Sequence, residues 1–169
     1  KFEQISNLSN INIFENILEY LSKKNSKNSN VKLEDVIKRR YSVLGTHTTV
    51  KNAQTLEEIS KDFNVTRERI RQLQIKALNF LKNSEIKSIA QVVLDKNLFY
   101  IFKLLSNNTN FISKVHLEPN LLRYSEFDNN DALLNGFLDL CIDICFDSLE
   151  NYLDSNYHFF KYYKIWYRG

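Results

Sequence analysis

Arg67, Glu68, Arg71 and Gln72 stand within six residues of one another, and their side chains are of the kinds that read base edges. An arginine fork can give two hydrogen bonds to guanine, a glutamine can pair with adenine in the same double fashion, and a glutamate accepts from the cytosine amino group. To act together in a major groove they must share one face of a helix, near the end that enters first. Arg69 and Lys76 lie further round the same wheel, with Lys38, Arg39 and Arg40 upstream; these suit phosphates, which fix position rather than sequence. Ile75, on the same outer side, fits either a thymine methyl or a buried contact with another part of the chain.

Other groupings point away from catalysis. Cys141 and Cys145 are four apart in a helical stretch, which makes them small buried hydrophobes; a zinc site needs two more ligands, and His47, His116 and His158 are scattered. Asp139, Asp143, Asp147, Glu150 and Asp154 form a row whose regular spacing reads as a solvated helix face rather than a two-metal centre. With neither a nucleophile triad nor a redox motif, no enzymatic activity, metal or cofactor is expected. The run of rings and lysines from Tyr157 to Tyr167 is read as core or partner surface ahead of a stack for unpaired bases.

The elements that must hold the base-reading set are well punctuated. Thr55 followed by Glu58 is a capping box that fixes a helix start, and Leu56, Ile59 and Phe63 give that helix its buried edge. Asn64 tolerates the left-handed conformation that ends it, and Thr66 can cap the next helix, which runs to about Lys82. On this second helix Ile70, Leu73, Ala77, Phe80 and Leu81 make the inner stripe, leaving Glu68, Arg71, Gln72, Ile75 and Asn79 outside. Ser60 is small where the helices cross. Two short helices, a three-residue turn and a polar outer face are the components of a helix-turn-helix.

Around this unit, periodicity predicts a packing helix over 8–22, a polar linker KKNSKNSN at 23–30 and a helix over 31–41, followed by a loop to Thr55. Further helix is expected over 85–95 and 131–154, a short apolar segment of either type over 98–105, a turn at 106–110 and a tail that can be strand or helix end. Three glycines and one proline in 169 residues favour helices over hairpin-rich or phosphate-cradling folds. The fold class is therefore all-α, mainly helical: a helix-turn-helix domain followed by a second helix-rich unit that can end in a strand. The expected division is 1–30, packing helix and linker; 31–82, DNA-binding domain; 83–116, connecting helices; and 117–169, an acidic and aromatic unit.

The net charge of +3 is unevenly distributed: residues 31–82 hold eleven Lys or Arg against six acids, whereas 117–160 hold nine acids against Arg123 alone. A basic half is the footprint of a polyanion-binding surface. The acidic half would repel DNA and is suited to packing, to a protein partner or to neutralising the basic half. No apolar run reaches the roughly 20 residues of a spanning helix and no leader is evident, so a cytoplasmic protein without membrane contact is expected. The absence of any methionine, Lys1 included, suggests a fragment of a longer protein.

The run TLEEISKDFNVTRERIRQLQIKALNFLK, Thr55 to Lys82, resembles the DNA-reading helix-turn-helix in the fourth region of primary-type bacterial sigma factors, most specifically in VTRERIRQ. IKRRY at 37–41 is loosely similar to the end of that region's preceding helix, although the loop to Thr55 is longer than the family's. The resemblance implies major-groove reading of the −35 promoter element by Arg67, Glu68, Arg71 and Gln72. It also implies DNA-backbone contacts at Thr55, Leu56, Lys76 and Arg40, and it makes RNA polymerase a candidate partner of the acidic unit. Nothing before Val31 resembles the other sigma regions, so a complete sigma factor is not expected. Sequence-specific duplex DNA binding in transcription initiation or regulation is the expected function; the alternative is a DNA-targeting segment of a larger nuclease or helicase.

Overall fold

The structure, a computed structural model, describes residues 10–41, 53–118, 120–124 and 132–169. The predicted 8–22 helix is seen as α1 (Asn10–Ser22), with Ile13, Phe14, Ile17, Leu18 and Leu21 buried; Leu8 lies outside the described residues, as do His47 and most of the loop before Thr55. Asn25 organises the linker that follows. Its Oδ1 accepts from Leu33 N at 2.8 Å, and its amide donates to the Glu34 carboxylate, which fixes the start of α2 (Leu33–Arg40). That helix carries Glu34 and Asp35 in its first turn and Lys38, Arg39 and Arg40 in its last, the polarity that complements a helix dipole.

Two helices, α3 (Leu56–Phe63) and α4 (Arg67–Leu81), pack against each other and against α2. Then come α5 (Ser84–Lys96) and α6 (Leu98–Ser106), so the apolar segment of open type is helical. Asn107 and Asn108, both at positive φ, make the predicted turn into β1 (Phe111–Ser113). A 3-10 turn (Lys114–His116) and α7 (Leu121–Tyr124) precede α8 (Ala132–Phe146) and α9 (Leu149–Asn156). The 131–154 stretch thus divides into two helices. Asp147 takes a left-handed conformation with φ 68°, and Ser148 caps α9 by accepting from Asn151 N at 3.1 Å.

The tail forms a hairpin, β2 (His158–Phe160) and β3 (Ile165–Tyr167), with β3 in the centre of a three-stranded antiparallel sheet of order β1-β3-β2. The mainly helical class holds, with a strand-bearing C-terminus. Helix α8 is the hub: it packs most extensively on α5 and also meets α1, α4, α7 and α9. Its Phe137, Leu138, Leu140, Cys141, Ile142 and Ile144 are buried in one apolar cluster that also contains Phe14, Ile37, Ile59 and Ile70. The Phe14 and Phe137 rings meet edge-on at 5.5 Å, an aromatic contact across the interface of α1 and α8. Cys145 is half-buried and its thiol donates to the Lys87 carbonyl at 3.5 Å.

Candidate nucleic-acid interface

Both ends of α3 are closed by local chemistry. Glu58 N donates to Thr55 Oγ1 at 3.1 Å while Thr55 N donates to Glu58 Oε1 at 3.2 Å, the reciprocal capping box. Asn64, at φ 53° and ψ 47°, turns the chain out of the helix; its N–H reaches the Lys61 carbonyl and Val65 N reaches Ser60 O at 3.0 Å. This is a Schellman closure, which satisfies carbonyls that a helix end otherwise leaves bare. Thr66 then caps α4 by accepting from Arg69 N at 3.0 Å. The small Ser60 is buried at the crossing, its hydroxyl donating to the Glu57 carbonyl.

These constraints set the roll of α4. Ile70, Leu73, Ala77 and Leu81 are buried, and Phe80 is partly so. On the other side Arg67, Glu68, Arg69, Arg71, Gln72, Ile75, Lys76 and Asn79 are all exposed. The four residues expected to read bases therefore share the open side of the first two turns. Ile75 is 43% exposed, which leaves its methyl groups open to solvent rather than packed on another element. Thr55 is exposed and Leu56 half-buried at the start of α3.

Arg71 is held in a fork-to-fork contact with Glu68: its Nε and Nη2 donate to the two carboxylate oxygens at 2.8 and 2.6 Å. That hydrogen-bonded pairing lowers the Glu68 pKa and raises that of Arg71. The guanidinium plane is thus aligned along the helix by a neighbour one turn away, in the geometry with which it can meet another planar pair of acceptors.

Upstream, the three basic residues of α2 differ. Lys38 and Arg39 are half-exposed; Arg39 Nη1 donates to Asp62 at 2.6 Å and its guanidinium lies 4.8 Å from the Phe63 ring centroid, fastening α2 to α3. Arg40, expected on the DNA backbone, turns inward instead and is 8% exposed. Its Nε donates to Gln74 Oε1 at 2.6 Å and its Nη1 to the Gln54 carbonyl at 2.9 Å, tying the residues before α3 to the middle of α4. Gln54 and Gln74 were not singled out from the sequence, where nothing marks a glutamine as the acceptor of a particular arginine.

The acidic row departs from expectation in part: Asp147, Glu150 and Asp154 are exposed, as a solvated face requires, whereas Asp139 and Asp143 on α8 turn toward the rest of the chain. Asp139 Oδ2 lies 2.7 Å from Arg123 Nε in an ion pair with both side chains under 5% exposed. Asp143 accepts from the Tyr41 hydroxyl, and the more exposed Asp147 accepts from Lys82 Nζ at 2.5 Å. Desolvation raises the carboxyls of Asp139 and Asp143, whereas the Lys82 hydrogen bond lowers Asp147. Arg123 also lies over the Tyr41 ring at 4.4 Å and bonds Asn120. The acids therefore meet the end of α2 and the end of α4, and the open side of α4 stays uncovered by them.

Residues 32–83 match the family described as Sigma-70, region 4. A stretch of 31 residues is 64% identical to the RNA polymerase sigma factor SigA of Clostridium acetobutylicum; it makes up 18% of this chain and 8% of that protein. The chain thus spans only a small part of the length of that curated relative. No solved structure matches it. Among the described residues no helix is long and apolar enough to cross a membrane.

Proposed function

We propose, from residues 32–83 being a Sigma-70 region 4 helix-turn-helix and hence a DNA-binding unit of the transcription-initiation type, that this protein reads duplex DNA sequence-specifically. Helix α4 enters the major groove by its first two turns. The observation that carries this reading is the common exposure of Arg67, Glu68, Arg71 and Gln72 opposite a stripe that is fully buried. Arg67 and Arg71 take guanine, Gln72 adenine and Glu68 the cytosine amino group; Arg71 exchanges one planar acceptor, the Glu68 carboxylate, for another. Ile75, open on the same side, meets a thymine methyl.

Thr55 and Leu56 present the start of α3 to a phosphate, Lys76 and Arg69 flank the groove, and Arg40 acts at one remove by holding α4 at its angle. Segment 31–82 is the reading domain, and 83–116 and 117–169 brace it from behind. The proposal extends to sites of the −35 type, to RNA polymerase as protein partner and to the cytoplasm as location; the likeness of a 31-residue stretch to an RNA polymerase sigma factor supports it. Because Asp139 and Asp143 are engaged inside the chain, polymerase contact falls elsewhere on the surface. A second reading, a DNA-targeting segment of a larger DNA-processing enzyme, draws on the residues after 83 having no counterpart in the sigma match.

The test is a salt titration of binding to duplexes carrying −35-like sites against scrambled duplexes. A steep salt slope with a preference that survives at physiological salt is the expected result. Equal affinity for both pools overturns specific reading.

A further inference from the structure

The three-stranded sheet has two unlike faces. In register, Ile112, Trp166 and Phe159 form one row, and Trp166 and Ile112 are buried in the core. The adjacent row, Phe111, Tyr167 and His158, points the other way and is exposed in all three strands, the Tyr167 and His158 rings lying 5.5 Å apart. The rings therefore recur across the sheet at the strand spacing of about 5 Å.

Phe160 extends this surface to the hairpin tip, where it meets Tyr163 at 5.1 Å; Tyr162 and Tyr163 are 80% and 64% exposed. Core packing accounts for Tyr157 and Trp166 but for none of these. Charge says what covers them. Residues 157–169 hold Lys161, Lys164 and Arg168 and not one acid, and the exposed Lys161 and Lys164 bracket Tyr162 and Tyr163 at the tip; Lys114, beside Phe159 on the opposite row, is paired with Glu150 at 3.0 Å. A face of alternating rings and cations matches a ligand with flat apolar surfaces strung on an anionic chain.

We propose that the β2–β3 hairpin and the outer face of the sheet bind single-stranded DNA, with unpaired bases stacked on Phe111, Tyr167, Phe160, Tyr162 and Tyr163 and the phosphates drawn to Lys161 and Lys164. The choice of DNA over RNA rests on the duplex-reading function of residues 32–83; the hairpin surface itself does not. This is a second nucleic-acid site, built from strands rather than from a helix, and it takes strands that have already separated.

The test uses the full chain and a fluorescein-labelled oligo-dT, followed by anisotropy at low and physiological salt, beside the duplex carrying a −35-like site. The native chain binds oligo-dT with an affinity that falls as salt rises. The double variant Tyr162→Ala, Tyr163→Ala binds it about tenfold or more weakly and holds the duplex as before. Both rings are exposed, so its urea midpoint matches the native one; Lys161→Gln, a change at the exposed tip, gives an independent and smaller loss. Arg71→Ala gives the reverse pattern, so failure of duplex binding with oligo-dT binding intact leaves the hairpin proposal standing. No oligo-dT binding at low salt, or an unchanged double variant, overturns it. Tighter binding of oligo-rU overturns the choice of DNA, and self-association that vanishes in the double variant, without oligonucleotide binding, assigns the face to a second copy instead.

Discussion

The Tyr41 hydroxyl donates to Asp143 Oδ2 at 2.5 Å, although the two residues are 102 positions apart in the chain. The bond joins the end of α2 to the last turn of α8, and burial holds the phenol well above its ordinary pKa. Removing only the hydroxyl leaves a partly buried carboxylate short of a donor. Tyr41→Phe is therefore expected to lower stability by about 1 to 3 kcal/mol, read from urea denaturation. A loss indistinguishable from zero means that water replaces the tyrosine.

The Arg123 and Asp139 pair makes stability depend on pH. Desolvation raises the Asp139 carboxyl from its ordinary 3.8 to about 7. Between those values the unfolded chain has released its proton and the folded chain keeps it, so this group's contribution to stability falls as pH climbs from about 4 through about 7. Arg123→Met removes the cation that holds the Asp139 carboxyl down, so the acid titrates higher still and the variant loses more stability at pH 8, where the native carboxylate is ionised and paired, than at pH 5, where the acid is neutral. Asp139→Asn removes the slope. Urea midpoints at pH 5 and pH 8 check both, and an Arg123→Met penalty equal at the two values contradicts the assignment.

Base reading and phosphate gripping separate on a panel of binding sites. Arg71→Ala is expected to relax one base position by about 1 to 3 kcal/mol, while Lys76→Ala weakens every duplex alike. Glu68→Gln loosens the fork that aligns Arg71 and erodes preference at the same position as Arg71→Ala. Uniform loss across all sequences for Arg71→Ala removes it from the base-reading set.

The turn tests how the reading helix is aimed. Asn64 sits at φ 53°, so Asn64→Gly is expected to be close to neutral and Asn64→Val to cost about 1 to 2 kcal/mol. Thr55→Ala removes one half of the capping box and costs about 1 kcal/mol. Thermal unfolding ranks the three, and Asn64→Val as stable as native excludes a conformational role for the asparagine.

How far the sequence carried the structure depends on the range of each interaction. Thr55, Glu58, Asn64 and Thr66 act within three or four residues, and the helix-turn-helix they delimit is legible because each signal sits beside what it controls. The stripe of α4 is equally local. Arg40, Asp139 and Asp143 read as surface for the opposite reason: a buried arginine and two inward aspartates look exposed until their partners, 14 to 102 positions away, are known. The tail was ambiguous because rings at nearly every position carry neither the period of a strand nor that of a helix; pairing with β1 decides it.

The order of the sheet bears on how the chain is made. Strand β3 pairs with both neighbours yet follows them in sequence, and its Trp166 fills the core with its indole N–H bonded to Asp154 at 2.8 Å. During synthesis β1 and β2 leave the ribosome with no strand between them, and the hole that Trp166 fills stays open until residue 166 has cleared the exit tunnel. The helix-turn-helix emerges some hundred residues earlier. A nascent chain therefore has its reading helix out and capped while the layer behind it is still unsealed, and the emergence of β3 sets the moment at which that layer closes.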